Sequence, residues 1–489
     1  MLPEEELIQQ RKEKLKWLKA NKINAYAHRF DKKDNCKDLL EKYKTLEKHT
    51  TTKNTAQTAG RLMSIREMGK ASFAHLQDFT GKIQIYIKEE TNAENYQLFK
   101  KLDMGDIIGI SGAIFTTKTG EVTIDVKQLQ LLTKSMKPLP DKWSGLKDTE
   151  IRYRQRYLDL IVNPEVKEVF LKRSKVIQGI REFLISQDYV EVETPILQPI
   201  YGGTSAKPFK SKLNALNIDV YMRISNELYL KRLITGGYEK IFEFSPDFRN
   251  EGIDKLHNPE FLQVETMCAY ANYEDNMKTF ENLIAYVTKK VTGSYKVEYQ
   301  GIHLDFTPPW KRLTMMEAIK QFAKLDLEKS SLEELKQIAK RLKIEVNPEM
   351  KWGEIVSLIF EEKVESLIIQ PTIIYDFPAD VSPLAKRKSA ESKFAERFEP
   401  LVNAWELGNV YSELNDPEEL RKNFEEQEKL RKKGYEEAQP TDFDFVRCLE
   451  YGMPPVSGIG IGIDRLTMLL TNAPSIREVI FFPFMKPEN

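Results

Sequence analysis

The stretch Phe248-Arg-Asn-Glu-Gly-Ile-Asp-Lys-Leu-His-Asn-Pro-Glu-Phe-Leu-Gln-Val-Glu265 gathers a guanidinium, several carboxylates and an imidazole into one short segment. The run before it, Lys240 to Phe244, alternates polar and apolar like a half-buried strand, and Phe261 to Tyr270 predicts a second strand, with Gly252 to Pro259 making the turn. Side chains two apart on a strand share a face, so Arg249 and Glu251 are expected to point the same way, beside His257 and Asn258 of the loop. A planar guanidinium grips phosphate or carboxylate through two parallel hydrogen bonds, which makes Arg249 a candidate for binding a phosphorylated or carboxylate substrate. Taken singly, Arg249 and Glu251 would read as a solvated cross-strand pair and His257 as an ordinary loop residue.

Working outward, the 489 residues imply two to four domains, and 41% apolar content suffices for real cores. Lys+Arg and Asp+Glu balance at 74 each, so any nucleic-acid contact must come from local patches. Cys36, Cys268 and Cys448 lie far apart without metal-ligand spacing, which supports neither a disulfide framework nor a zinc site and fits a reducing cytoplasm. The acidic start, Met-Leu-Pro-Glu-Glu-Glu, is unlike a signal peptide, and no apolar run of about 18 residues predicts a membrane span.

Leu7, Ile8, Leu15 and Leu18 predict one amphipathic helix over residues 4–20, within an N-terminal helical extension over 1–57. From 58 to 140, five short strands split by glycines (59–65, 73–78, 82–87, 106–113 and 121–130) predict a small barrel. Lys137 to Gly145, with two prolines and a glycine, reads as a linker into a larger region, 141–489. There, Val166, Phe170, Val176, Ile180 and Leu184 trace a long amphipathic helix, and Tyr189–Pro195 reads as a strand. A helical insertion is expected over about 314–366. A further helix is expected from Pro417, capped by Asp416, to Gly434.

Near the C-terminus, Gly458, Gly460 and Gly462 alternate with isoleucines, so one strand face is bare backbone open to a ligand, and Asp464 is expected to cap the next helix with Arg465 in its first turn. The spacing does not match the dinucleotide fingerprint, which has two residues before its third glycine. Glu399, Glu406 and Glu413 recur every seven residues, but Gly408, Asn409, Val410 and Tyr411 between them argue for strands rather than a helical seam. Two carboxylates near a nucleotide suit Mg²⁺, a hard cation that shares phosphate oxygens. If Glu227, Glu265 and Glu413 line one cavity, the ligand must bring positive charge, because unpaired buried anions are costly.

Taken together, Phe-Arg-Asn-Glu-Gly with His-Asn-Pro-Glu-Phe resembles motif 2 of the class II aminoacyl-tRNA synthetases of the lysyl type. The helix–strand unit ending at Pro195 resembles motif 1, and Gly-Ile-Gly-Ile-Asp-Arg at 460–465 resembles motif 3. Ala59 to Phe73 resembles the OB-fold anticodon-binding domain of the same enzymes. The resemblance implies an α+β protein, an N-terminal OB-fold β-barrel followed by a catalytic domain built on an antiparallel sheet with flanking helices. The implied activity is ATP-dependent formation of lysyl-adenylate and transfer of lysine to tRNA(Lys) by a cytoplasmic homodimer joined through motif 1, with no DNA or membrane partner.

By the same resemblance, Arg249 and Arg465 are catalytic and Arg249, Glu251, His257, Asn258, Phe261, Glu399 and Arg465 bind ATP. Gly203, Glu227, Arg249, Glu265, Asn409, Tyr411 and Glu413 bind lysine, with Glu227 at the α-amine and Glu413 at the ε-amine. Glu399 and Glu406 bind Mg²⁺, and Arg66, Phe73, Gln84 and Gln128 read the anticodon. The chain departs from the family pattern at Gln128, where glutamate is usual, and at Met267, where a tyrosine is expected against the ε-amine; Leu262 and Gln263 are also atypical. An aspartyl- or asparaginyl-type ligase of the same fold is opposed by the acidic pocket. A non-catalytic RNA-binding paralogue is opposed by the retention of Arg249, Glu251, Glu399, Glu406 and Arg465.

Overall fold

Between residues 51 and 133 buried and exposed side chains alternate, and in the computed structural model, which describes residues 3–140, 146–433 and 439–488, this pattern closes a barrel. Its strands are β1 (Thr51–Met68), β2 (Ala71–Gln77), β3 (Lys82–Lys88), β4 (Ile107–Thr116) and β5 (Val122–Thr133). They are ordered β1-β2-β3-β5-β4, with β4 returning to β1. Along β3, Ile83, Ile85 and Ile87 fill the interior while Gln84 and Tyr86 face outward, as period two requires.

The N-terminal extension is not separate from this barrel. The expected helix forms over Glu4–Ala20, a second helix over Cys36–Tyr43 was not anticipated, and β1 starts ahead of the boundary placed at residue 58. Leu18, Cys36, Leu39 and Tyr43 share one apolar core with the barrel's isoleucines, so burial makes residues 1–147 a single unit. Residues 141–145 of the expected linker lie outside the described residues.

The second unit, 148–489, is built on a sheet whose strands reach across most of its length. In chain order come β6 (Val190–Glu191), the small sheet β7 (Leu197–Gln198), β8 (Lys210–Leu213) and β9 (Ile218–Met222), then β10 (Lys240–Phe248) and β11 (Glu260–Ala269). The hairpin β12 (Lys296–Tyr299) and β13 (Ile302–Asp305) precedes β14 (Lys311–Thr314) and β15 (Thr372–Tyr375), and β16 (Arg397–Val402), β17 (Trp405–Glu406), β18 (Gly408–Ser412) and β19 (Val456–Gly462) follow. The main sheet runs β14-β15-β16-β18-β19-β11-β10-β6, antiparallel at its centre and parallel only in its two outermost pairs.

One face of this sheet is apolar. Phe242, Val264, Phe398, Val410, Ile459 and Ile461 pack against the helices Pro164–Ser186 and Tyr273–Thr292, which contribute Val176, Ile180, Phe280 and Leu283. The alternate residues, Glu243, Asp247, Gln263, Glu265, Asn409 and Tyr411, emerge on the opposite face with Gly458 and Gly460. The division of the sheet into a greasy side and a chemical side follows from strand periodicity alone.

The helical insertion appears as Met315–Ala318, Leu332–Arg341 and Trp352–Lys363 around their own core. The Pro417–Lys432 helix forms with Asp416 accepting from the Glu418 and Glu419 amides at 2.8 and 3.3 Å; its expected terminus, Gly434, lies outside the described residues. The strand expected over Tyr189–Pro195 shrinks to Val190–Glu191. Beyond it Thr194 turns its amide and hydroxyl to the Glu243 carboxylate, at 3.1 and 2.7 Å, and Pro195 has no amide to offer a ladder.

Candidate active site

β10 ends at Phe248, so Arg249 and Glu251 sit in the loop rather than on a strand, and the shared-face expectation does not hold for them. Both still line one cavity of about 400 Å³ on the polar side of the sheet. Arg249 lies over the Phe261 ring at 4.9 Å, and among the described residues its guanidinium makes one hydrogen bond, Nε to Ile224 O at 3.5 Å. Its terminal nitrogens are thereby held on an aromatic shelf, oriented but not consumed. Glu251 is exposed and accepts from the Lys207 amide at 3.3 Å.

His257 Nδ1 meets Asp254 at 2.9 Å, and His257 Nε2 lies 3.2 Å from Arg465 Nη2. Asn258 is buried and structural in its contacts, donating to Glu260 O at 2.5 Å and accepting from the Phe484 amide at 3.3 Å. Arg465 also donates to Glu406 O at 2.8 Å. Asp464 does not cap the helix Ile463–Thr471, whose N-cap is Gly462. Its carboxylate instead pairs with Arg173 and accepts from the Leu262 amide at 2.8 Å, tying that helix to β11 and to the Pro164–Ser186 helix.

The floor of the cavity is the glycine lane of β19. Gly460 is flanked by Glu265 on β11 and Asn409 on β18, and Gly458 by Met267 and Tyr411. A Cβ at Gly458 would fall 2.5 Å from Glu413 Oε1 and 2.9 Å from Met267 Sδ, so the bare backbone is required by what surrounds it. Gly203, at φ +95°, covers the same space; a Cβ there would lie 2.8 Å from Ser225 Oγ. Its amide donates to the buried Gln439 at 3.0 Å.

Glu227, Glu265 and Glu413 are all buried and all line this cavity. Sequence reasoning missed their internal cation. Lys231, one turn after Glu227 on the Glu227–Thr235 helix and 1% exposed, places Nζ 2.6 Å from Glu227 and 2.5 Å from Glu413. The i,i+4 spacing was the available signal. Tyr411 donates its hydroxyl to the other Glu227 oxygen at 2.5 Å.

One ammonium cannot fully serve two carboxylates. Burial, with Glu227 adding like charge, raises Glu413 to about 8, while the two glutamates hold the Lys231 ammonium above its ordinary range. Glu265 is raised well above the carboxylate range by burial and then by Asp247, Glu227 and Glu243, and its Oε2 has no hydrogen-bond partner among the described residues. Three buried carboxylates therefore converge on the cavity with one ammonium among them.

Glu399 stands apart from the cavity lining, bonded to Arg397 Nη2 at 2.5 Å, with Arg397 Nε donating to Asn409 at 3.0 Å. Burial and the nearby Glu406 and Glu365 raise Glu399 to about 8 despite Arg397. Among the described residues no group of three or more His, Cys, Asp or Glu is placed to hold a metal. The Glu399 and Glu406 pair carries like charge that a hard cation would relieve, so it fits a metal that takes its remaining ligands from phosphate.

In the barrel unit, Arg66, Phe73 and Tyr86 are cross-strand neighbours, and the Phe73 and Tyr86 ring centroids are 4.7 Å apart. Gln84 accepts from Thr123 at 2.9 Å and donates to Glu121 at 2.7 Å, while Gln128 accepts from Ser111 at 3.2 Å. Phe73 and Gln84 share the outward face, and Arg66 is exposed beside Phe73.

Both units resemble known proteins. Residues 148–486 match the family described as tRNA synthetases class II (D, K and N), and residues 56–132 match the OB-fold nucleic acid binding domain. The chain is 51% identical over 487 residues to the lysine–tRNA ligase of Thermoanaerobacter sp. (strain X514), and 52% identical to that of Thermoanaerobacter pseudethanolicus, covering 99% of this chain and 97% of each relative. It is 49% identical to the lysine–tRNA ligase of Moorella thermoacetica, over 99% of both chains. The chain belongs to the lysine–tRNA ligase family of class II synthetases. Members of this family use ATP.

Proposed function

We infer that the chain activates L-lysine with ATP and transfers it to tRNA(Lys), and that its specificity lies in a charge count. Three buried carboxyls meet one internal ammonium, Lys231, which leaves two whose ionisation a ligand's positive groups would favour and balance. An amino acid with an α-ammonium and a side-chain ammonium supplies both, and its carboxylate suits Arg249. That convergence of carboxylates carries the reading.

In the first step a lysine carboxylate oxygen attacks the α-phosphorus of ATP, the bond to the β-phosphate oxygen breaks, and pyrophosphate leaves with its electron pair. Arg249 faces the developing charge and Arg465 holds the nucleotide. Glu399 and Glu406 would hold Mg²⁺, which supplies charge neutralisation at the phosphates. In the second step a ribose hydroxyl of the tRNA 3′ end attacks the lysyl carbonyl and AMP departs. No side-chain nucleophile takes part, so positioning and electrostatics provide the acceleration. The outward face bearing Phe73, Gln84, Arg66 and Gln128 suits single-stranded anticodon bases, with stacking on Phe73.

We place the enzyme in the cytoplasm as a homodimer; no helix among the described residues is long and apolar enough to cross a membrane. Exposed Ile185, Val190, Ile196 and Leu197, at the end of the Pro164–Ser186 helix and beyond it, support a two-fold contact there. Amino-acid-dependent ATP–pyrophosphate exchange run across the twenty amino acids tests the reading. Exchange with lysine alone is expected, and exchange driven by aspartate or asparagine, or none at all, would overturn it.

A further inference from the structure

The polar side of the sheet carries a buried feature that the two chemical steps do not use. Asp247, fully buried on β10, and Glu265, on the neighbouring β11, are bridged by one amide: Gln263 Nε2 donates to Asp247 Oδ2 and, at 2.7 Å, to Glu265 Oε1. Asp247 Oδ1 accepts from Ser245 Oγ at 2.6 Å and lies 3.3 Å from Arg223 Nε. Glu265 Oε1 takes a second bond from Ser225 Oγ at 3.3 Å, so every donor reaching this carboxylate converges on one oxygen. Oε2, buried and without a partner among the described residues, belongs to a residue that lines the cavity. Leaving a buried carboxylate oxygen unpaired costs free energy unless a ligand donates to it.

We propose that Asp247 and Gln263 are positioning residues for Glu265: the Gln263 amide, anchored by Asp247, turns one Glu265 oxygen away and presents the other to a substrate ammonium. This rests on the lysine-pocket reading and adds a device that acts through Glu265 without touching substrate.

The electrostatic surroundings fix the sign of its consequence. Facing Glu265 are Asp247 and Glu243 from β10, and Glu227 from the helix after β9. Tyr411 from β18 faces it as well. The neighbouring cations are already engaged: Arg223 with Glu243 and Asp247, Lys231 with Glu227 and Glu413, while Arg249 acts on Asp247. Glu265 must be ionised to hold an ammonium. The Asp247 charge opposes that ionisation and the Gln263 donor favours it. The two carboxyls, sharing one amide, titrate as a pair in two steps.

Isothermal titration of lysine into the full-length protein as a function of pH tests this, without ATP or tRNA. For Asp247→Asn, which keeps the shape and removes the charge, the acid limb of lysine affinity should move to lower pH by about one unit and become a single step. For Gln263→Leu, which removes the donor, the limb should move to higher pH. A uniform loss of affinity at every pH in both variants, or limbs that stay in place, would overturn the proposal. If Asp247→Asn fails to fold, judged by its melting curve, Gln263→Leu decides alone by the direction of its shift. Glu265→Gln separates the two readings. Unchanged lysine affinity there would sink the pocket assignment itself, whereas lost affinity there with unmoved limbs in the other variants would sink only the positioning role.

Discussion

Glu413 shows how a single side chain changes meaning once its neighbours are known. From sequence it read as a carboxylate awaiting a substrate ammonium; in the structure it already shares Lys231 with Glu227, yet one ammonium against two buried carboxylates leaves it raised to about 8. Glu413→Gln keeps the size and removes the charge. Lysine-dependent exchange should then fall by roughly two to four orders of magnitude, the cost of stripping one member from a buried ion cluster, while the KM for ATP changes little. Exchange with the wild-type KM for lysine would place the ε-ammonium elsewhere. A linked effect belongs to stability. A carboxyl whose folded pKa lies above its unfolded value binds more protons when folded, so its contribution is present at acid pH and is lost as pH rises from about 4.5 to about 8. Melting temperature of the ligand-free protein should decline across that window, less so in Glu413→Gln, and lysine should restore more of it at the upper end. A slope identical in the two proteins would contradict this.

At the scale of elements, strand periodicity was the legible part. The glycine–isoleucine alternation of β19 gave a bare face and a greasy face, and both are present, with Ile459 and Ile461 in the core and Gly458 between Met267 and Tyr411. What local pattern could not give was cross-strand register, and the missed residues depend on it. Gln263 matters because, opposite Ser245 in the register of β10 and β11, its amide reaches Asp247, and Lys231 because its helix brings it to Glu413. Asp464 reads as a cap in sequence, but Arg173, distant along the chain, competes for its carboxylate and wins. Two expectations test the elements directly. Gly458→Ala should press on Glu413 and Met267, lowering stability by about 1–3 kcal/mol in a melting experiment and raising the KM for lysine; unchanged melting and KM would show that the lane tolerates a methyl. Phe73→Ala should weaken aminoacylation by roughly 1–3 kcal/mol in the use of tRNA and spare ATP–pyrophosphate exchange. Equal loss in both assays would make Phe73 a packing residue of the barrel.

Across the whole molecule, two units of different chemistry are joined on one chain. The barrel unit presents aromatic and amide side chains on an outward strand face, and the larger unit encloses carboxylates behind a sheet. Composition hid this division, since the equal charge totals average a polar barrel face with an acidic pocket. The N-terminal boundary was hidden because the contacts that set it are long-range: Leu18 on the expected helix and Leu39 on the unanticipated one complete the barrel core. The central claim, that the pocket selects an amino acid with two ammonium groups because, among the described residues, three buried carboxyls meet the single ammonium of Lys231, is tested most directly by isothermal titration of the wild-type protein with lysine and with norleucine. Norleucine has nearly the same length and lacks only the side-chain ammonium. Lysine should bind at least about two orders of magnitude more tightly, as expected when an analogue leaves a buried charge unpaired; norleucine binding within a few-fold of lysine would contradict the claim.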